Sequence, residues 1–417
     1  MSTIPSLALI PSGVKASKVY SVLPTNGTGD FDFTRSGNAT RVNSEGLIEL
    51  VSTNVPRLNY PLIDGVVSGC PSLLLEPQRT NLIPYSEDFS NAAWSKEDLT
   101  VLPNQAISPD GTLNADLLLP NTNNTDHSIY DQTNVSTEIF TVFLKAGGYN
   151  FAFLGQNNAA DTNGAFFDLI NGTVTKNSSA LSASIEDYGN GWFRCSLFGS
   201  FSTDFRIICP SENGQTFSFA GDGVKGVYSW GAQVEAGSYP TSYIPSLIGS
   251  QTTRSAETCE QTPPSGIIGL TQGGVIYMDF MAQNSGSNSQ SHFWIGSAGN
   301  EIGLYGGNQF IFYSSGGVSI NGGNVITGQI YKVAFAYETN DYVAYVNGVQ
   351  VGLDNSATYP NMNNISINSY FNGTEIEKKQ IKDFKLYNTR LSNAELQALT
   401  SWDSFSDMAI SLLYTIE

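Results

Sequence analysis

The chain has 417 residues, 40% of them hydrophobic and 12% aromatic, enough to bury two or three domain cores. Only 13% are charged and the formal net charge is −18, which argues against nucleic acid or an anionic membrane as a partner. Polarity comes instead from Asn, Ser, Thr and Gly, a mixture that suits strands and turns better than helices. No stretch approaches the ~20 apolar residues of a membrane span.

Residues 1–80 open with MSTIPSLALIPSGVKASKVY, an apolar run without a basic region before it and so a poor signal peptide. Phe31 and Phe33 alternate with Asp30 and Asp32, and TRSGNATRVNSEGLIEL predicts two short strands around a turn at Asn43 to Gly46. Arg35, Arg41, Arg57 and Arg79 are read as local ion pairs with Asp30, Asp32, Glu45 and Glu49, or else as an attachment surface for an acidic partner. Pro56, Pro61, Pro71 and Pro77 interrupt the region repeatedly, so it is expected to be extended and to lie against another body.

From Asn81 the texture changes to short strands: IFTVFLKAG (139–147), NFAFLGQ (150–156), GAFFDLI (164–170), GWFRCSLFGSF (191–201), DFRIICP (204–210) and TFSFAGD (216–222). Asn171-Gly172, Asn190-Gly191 and Asn213-Gly214 punctuate them, and this spacing predicts an antiparallel sandwich or jelly roll over 81–250. The lead-in RTNLIPYSEDFSNAAWSK and the closing YSWGAQVEAGSYPTSYIP together resemble a module of bacteriophage structural proteins that is similar to carbohydrate-binding jelly rolls. TRVNSEGLIE and CPSLLLEPQRTNLI also resemble the segment preceding that module. The resemblance implies a virion component and carries over no residue-level site.

Residues 251–266 read as a linker ending in Pro263-Pro264-Ser265-Gly266. A second sandwich is predicted over 267–400. Its clearest part is YKVAFAYETNDYVAYVNGVQV (331–351), a three-stranded meander in which period-2 alternation runs up to an Asn347-Gly348 turn. AYVNGVQV and IKDFKLYNTRLS resemble the closing pattern of concanavalin A-like or laminin G-like sandwiches. Ser392 and Glu395 form an S-x-x-E capping box for a short helix. In the tail, 401–417, Trp402, Phe405, Ala409 and Leu412 share one helical face. That face is expected to pack on its own domain or on other copies of the chain.

Motif chemistry is sparse. The histidines, His127 and His292, have no triad around them, and HExxH, GxSxG and phosphate-loop patterns are absent. Cys70, Cys195, Cys209 and Cys259 lack metal-ligand spacing. Cys195 and Cys209 could face each other across a hairpin, but free buried thiols are favoured, pointing to folding in a reducing cytoplasm. Glu375 and Glu377 alternate without a third acid in register and read as solvated turn charges rather than a glycosidase pair. A sugar site needs rings and amides, and Trp294, Tyr305, Tyr313 and Asn308 lie in adjacent predicted strands.

The expectation is therefore an all-β chain: two tandem antiparallel β-sandwiches, an extended N-terminal attachment segment and a short C-terminal helix. It is a non-enzymatic bacteriophage fibre, spike or decoration protein, assembled in the host cytoplasm, with other virion proteins as partners and host-surface glycan as its ligand. The resemblance implies a homotrimer; the N-terminal segment and the apolar tail are the expected assembly surfaces, with Phe31, Phe33, Trp402, Phe405 and Leu412 as assembly residues. No cofactor and no metal is expected. The alternative is a secreted bacterial protein that binds or hydrolyses polysaccharide.

Overall fold

The computed structural model describes residues 3–131, 138–156, 164–176, 181–199, 204–210, 217–262, 273–283, 291–358, 360, 362, 364–370 and 376–412. Asn213-Gly214, Pro263 to Gly266, Glu375 and the side chain of Phe405 lie outside the described residues. Among the described residues the fold is all-β, with two short helices near the C-terminus.

The first sandwich faces two six-stranded antiparallel sheets. One contains Phe151–Gly155, Gly164–Asp168 and Phe205–Ile208; the other contains Glu138–Gly147, Trp192–Gly199 and Gly226–Ala236. Alternation sends Phe140, Val142 and Leu144 into the core between the sheets. Phe143 points the other way, into a layer with Trp192, Trp230 and Tyr243 that Ile48 of the N-terminal hairpin helps to cover. Phe217–Phe219 forms no strand, only an isolated bridge from Phe219 to Thr125. Cys195 and Cys209 do not share a hairpin, since their flanking strands belong to opposite sheets of one core. Cys70 is exposed, whereas the other three thiols are buried.

The second sandwich is one curled antiparallel sheet whose centre comes from the N-terminal residues. Leu7–Lys15 pairs with Lys379–Tyr387, Lys18–Leu23 pairs with Phe31–Thr34, and Phe31–Thr34 pairs with Thr258–Gln261. Ser72–Leu75 adds to the far end of Lys379–Tyr387. The first sandwich therefore leaves and rejoins the second through a neck, where Arg79–Asn81 pairs antiparallel with Thr252–Arg254. Phe31 and Phe33 are fully buried in this chain's own core, so neither ring is open to a second chain here. The meander forms as read, with Asn340, Asn347 and Gly348 at positive φ in its turns. Helix Asn393–Thr400 starts at the Ser392–Glu395 capping box and lays Leu396 over the outer face of the meander sheet.

The tail turns back onto the same domain. Lys332 Nζ sits 4.8 Å over the Trp402 ring, and Gln329 donates to the Leu412 carbonyl at 2.7 Å.

The basic residues of the N-terminal segment are paired, but mostly not locally. Arg41 meets Glu49 as expected. Arg57 instead forms a fork on Glu257, with Nε to Oε1 at 2.8 Å and Nη2 to Oε2 at 2.5 Å, and reaches Glu76 at 3.0 Å. Arg35 meets Glu257 at 2.8 Å, and Arg254 meets Glu76 at 2.8 Å. Arg79 lies 3.9 Å from Glu235. Glu76 also accepts from Ser242 of the first sandwich, through backbone N at 2.8 Å and Oγ at 2.7 Å. The acidic partner that these arginines fit is thus the chain's own set of buried glutamates at the neck. Burial alone would raise the Glu76 pKa, but Arg254, Arg57 and Lys378 pull it well below the usual carboxylate range.

Candidate functional site

The residues expected to bind sugar converge on the outer face of the second sandwich. In Ser291–Ser297, Phe293 and Ile295 enter the core, so Trp294 faces outward. In Asn300–Tyr305, Ile302 and Leu304 enter the core, leaving Glu301, Gly303 and Tyr305 outside. In Gln309–Ser314, Phe310 and Phe312 are core and Tyr313 is outside. Register places Trp294 opposite Gly303, and Gly303 opposite Tyr313. With only hydrogen at Gly303, the two flanking rings close over it: Trp294 and Tyr313 lie 5.8 Å apart and 3° from parallel.

Tyr305 stands edge-on to both rings, 6.3 Å from Trp294 and 6.1 Å from Tyr313. Tyr370, which sequence reading missed, tilts onto Trp294 at 4.7 Å. The result is a shelf of three half-buried tyrosines on an indole that is only 5% exposed. Trp294 is therefore the support beneath the shelf, and the tyrosines are the surface a ligand would meet. Asn308 sits at the turn beyond Tyr305, half-buried, with its carbonyl accepting from Val325 at 2.8 Å.

Two polar atoms at the base of the shelf lack hydrogen-bond partners: Trp294 Nε1 and Glu301 Oε2. Burial raises the Glu301 pKa against the opposing hydrogen bonds from the Gly299 and Asn300 backbone. Burial, and then Glu301, raise that of Tyr313. Rings beside an acid, with no basic side chain in the set, match a polyhydroxylated ligand and repel a phosphate chain. Glu301 and Gly303 were legible in the alternation of NEIGLY. A small residue in mid-strand, between outward Glu301 and Tyr305, signals a close approach.

Elsewhere the chemistry is structural. His127 sets its ring nitrogens against the carbonyls of Asp98 and Phe219 at 2.6 and 2.8 Å. Glu377 is not a solvated turn charge, because it is fully buried where Lys379–Tyr387 begins pairing with Leu75. Beside it, burial lowers the Lys379 amine to about 7 against the pull of Glu377, and the amine donates to the Ser291 carbonyl at 2.5 Å. Among the described residues, no group of three His, Cys, Asp or Glu could hold a metal ion, and no helix is long and apolar enough to cross a membrane.

No protein-family model matches the sequence, and no curated protein matches it. Solved structures give distant matches. The CBM40 module of the Ruminococcus gnavus IT-sialidase bound to α2,3-sialyllactose is 16% identical over 31% of this chain and 83% of that one, with a TM-score of 0.27. The botulinum neurotoxin serotype G binding domain is 12% identical over 34% of this chain and 39% of that one, at 0.30. Trypanosoma rangeli sialidase in complex with sialic acid is 12% identical over 93% of this chain and 78% of that one, at 0.28. Likeness at this level says nothing about ligand or activity here.

Proposed function

We propose that this chain is a non-enzymatic structural protein of a bacteriophage virion, a fibre, spike or decoration protein that touches host-surface glycans. The observation that carries the glycan reading is the tyrosine shelf: Tyr305, Tyr313 and Tyr370 raised on Trp294, with the unpartnered Glu301 oxygen at its base. Aromatic faces stack on sugar rings and the acid beneath them disfavours an anionic ligand, so the ligand is a neutral saccharide. The virion reading rests on the motifs that open and close the first sandwich, RTNLIPYSEDFSNAAWSK and YSWGAQVEAGSYPTSYIP. The partners are then other virion proteins, met during assembly in the host cytoplasm. The hydrolytic alternative finds no support in Glu377, which is buried and beside a lysine.

The test is an array of neutral oligosaccharides probed with the full-length chain. Wild type is expected to bind, and Tyr313→Ala and Trp294→Ala to lose about tenfold or more, the first by removing a contact ring and the second by removing its support. Absence of signal above background from wild type would remove the glycan reading. A homotrimer predicts three times the chain mass in light scattering, and a monomer at micromolar concentration would rule out a self-standing trimeric fibre. Because Phe31 and Phe33 are sealed inside the fold, Phe33→Ala should lower stability, and a selective loss of the trimer would be the contrary result.

A further inference from the structure

A cavity away from the shelf has a different chemistry. It holds about 910 Å³ and lies where the N-terminal hairpin, the first sandwich and the second sandwich meet. Its size is that of a ligand cleft, and it lies apart from the tyrosine shelf, none of whose residues lines it. Arg194 lines it from the first sandwich and Lys378 from the second.

Arg194 is 3% exposed and has no ion pair among the described residues. Its Nη2 donates to the Thr241 carbonyl at 2.8 Å and to Thr141 Oγ1 at 3.3 Å, while its Nε has no partner. The guanidinium also lies 5.6 Å over the Phe143 ring. A guanidinium this buried is normally matched by an anion. Lys378 donates to the Pro240 carbonyl at 3.0 Å and stands 4.0 Å from Glu76, a carboxylate already held by Arg57 and Arg254. Burial lowers its pKa against the pull of Glu76, Glu186 and Glu235, and Arg194 lowers it further. Neither cation has a carboxylate to itself: Lys378 shares Glu76 with two arginines, and Arg194, with no ion pair among the described residues, feels Glu186, Glu235 and Glu76 at longer range.

Acids and hydroxyls line it as well: Glu186, exposed and directly across the sheet from Arg194, half-buried Asp187, and Ser182 and Ser184 on the same strand. An inorganic anion would meet repulsion at these carboxylates. A ligand with one acidic group and many hydroxyls would satisfy both kinds of lining, its carboxylate on Arg194 and Lys378 and its hydroxyls on Glu186, Asp187 and the serines. We propose that this cleft is a binding site for a carboxylate-bearing sugar, with Arg194 and Lys378 as its anion-holding residues.

The test is calorimetric titration of the full chain with trigalacturonate, with its methyl ester and with sialyllactose, which separates a uronic acid from other acidic sugars. At least one acidic sugar is expected to bind at least about tenfold more tightly than the ester, with affinity falling as salt rises. Arg194→Met and Lys378→Gln should each remove that preference. Trp294→Ala should keep it, so failure of the tyrosine shelf and failure of this cleft are told apart. Since Arg194 is buried and its variant could unfold, Lys378→Gln, at a partly exposed position, carries the result alone if Arg194→Met loses its β-sheet circular dichroism. Equal affinity for acid and ester, or full acid binding in Lys378→Gln, overturns the proposal.

Discussion

Glu257→Gln is expected to destabilise the chain by about 3–5 kcal/mol, the range for breaking a buried ion pair on one side. Glu257 accepts from both ends of the Arg57 fork, from Arg35 and from the Glu76 backbone N–H at 2.9 Å. The amide keeps the shape but removes the charge, taking from Arg35 its carboxylate and leaving Arg57 to share Glu76 with Arg254 in a dry neck. The comparison is Glu49→Gln, which removes the partner of Arg41 at a pair 25% and 37% exposed and should cost less than about 1 kcal/mol. Urea unfolding measures both. A loss under 1 kcal/mol for Glu257→Gln would mean that the network behaves as a surface pair.

The same network sets the acid limit. Glu76 ionises in the fold well below the usual carboxylate range, so as pH falls the unfolded chain takes up its proton first. The stability it contributes is complete above the unfolded value, about 4.3, and is lost progressively below it. Glu76→Gln should therefore flatten the acid limb while lowering stability at neutral pH. A limb as steep as wild type would count against this assignment.

What the sequence made legible follows from the range over which each feature is decided. The meander, the Asn43–Gly46 hairpin and the Ser392 cap rest on residues within a few positions of one another, where period-2 alternation, turn chemistry and capping act directly. The arginines could not be assigned this way. Arg57 finds Glu257 two hundred residues on, because Phe31–Thr34 and Thr258–Gln261 pair in one sheet, and nothing local encodes that pairing. The same long-range pairing explains why an N-terminal stretch broken by prolines reads as extended and dependent on another body. Its strands are completed by Lys379–Tyr387 and Thr258–Gln261. Trp294, Tyr305 and Tyr313 were within reach because their strands are consecutive. Tyr370 was not, since it follows the two-residue strand Ile365–Ser366 that joins the sheet beside Trp294.

Gly303→Ala should collapse the tyrosine shelf with little change to the sandwich beneath it. A Cβ at 303 would sit 1.8 Å from Trp294 Cε3 and 2.1 Å from Cζ3, far inside van der Waals contact, so the indole must leave its place. The core below should be spared, because Ile302 and Leu304 point the other way. The ring cannot sink, since Gly303 is its floor, so it must tilt outward against Tyr305, Tyr313 and Tyr370. Overpacking of this kind costs about 1–3 kcal/mol, yet the parallel pairing of Trp294 with Tyr313 is lost altogether. Near-ultraviolet circular dichroism and indole fluorescence should change while the far-ultraviolet β signal persists, and neutral-glycan binding should fall as it does in Trp294→Ala. Adding Trp294→Ala to Gly303→Ala should then cost much less than the two changes would separately, because the clash is gone. Unaltered glycan binding in Gly303→Ala, with the indole signal shifted, would place the ligand somewhere other than this shelf.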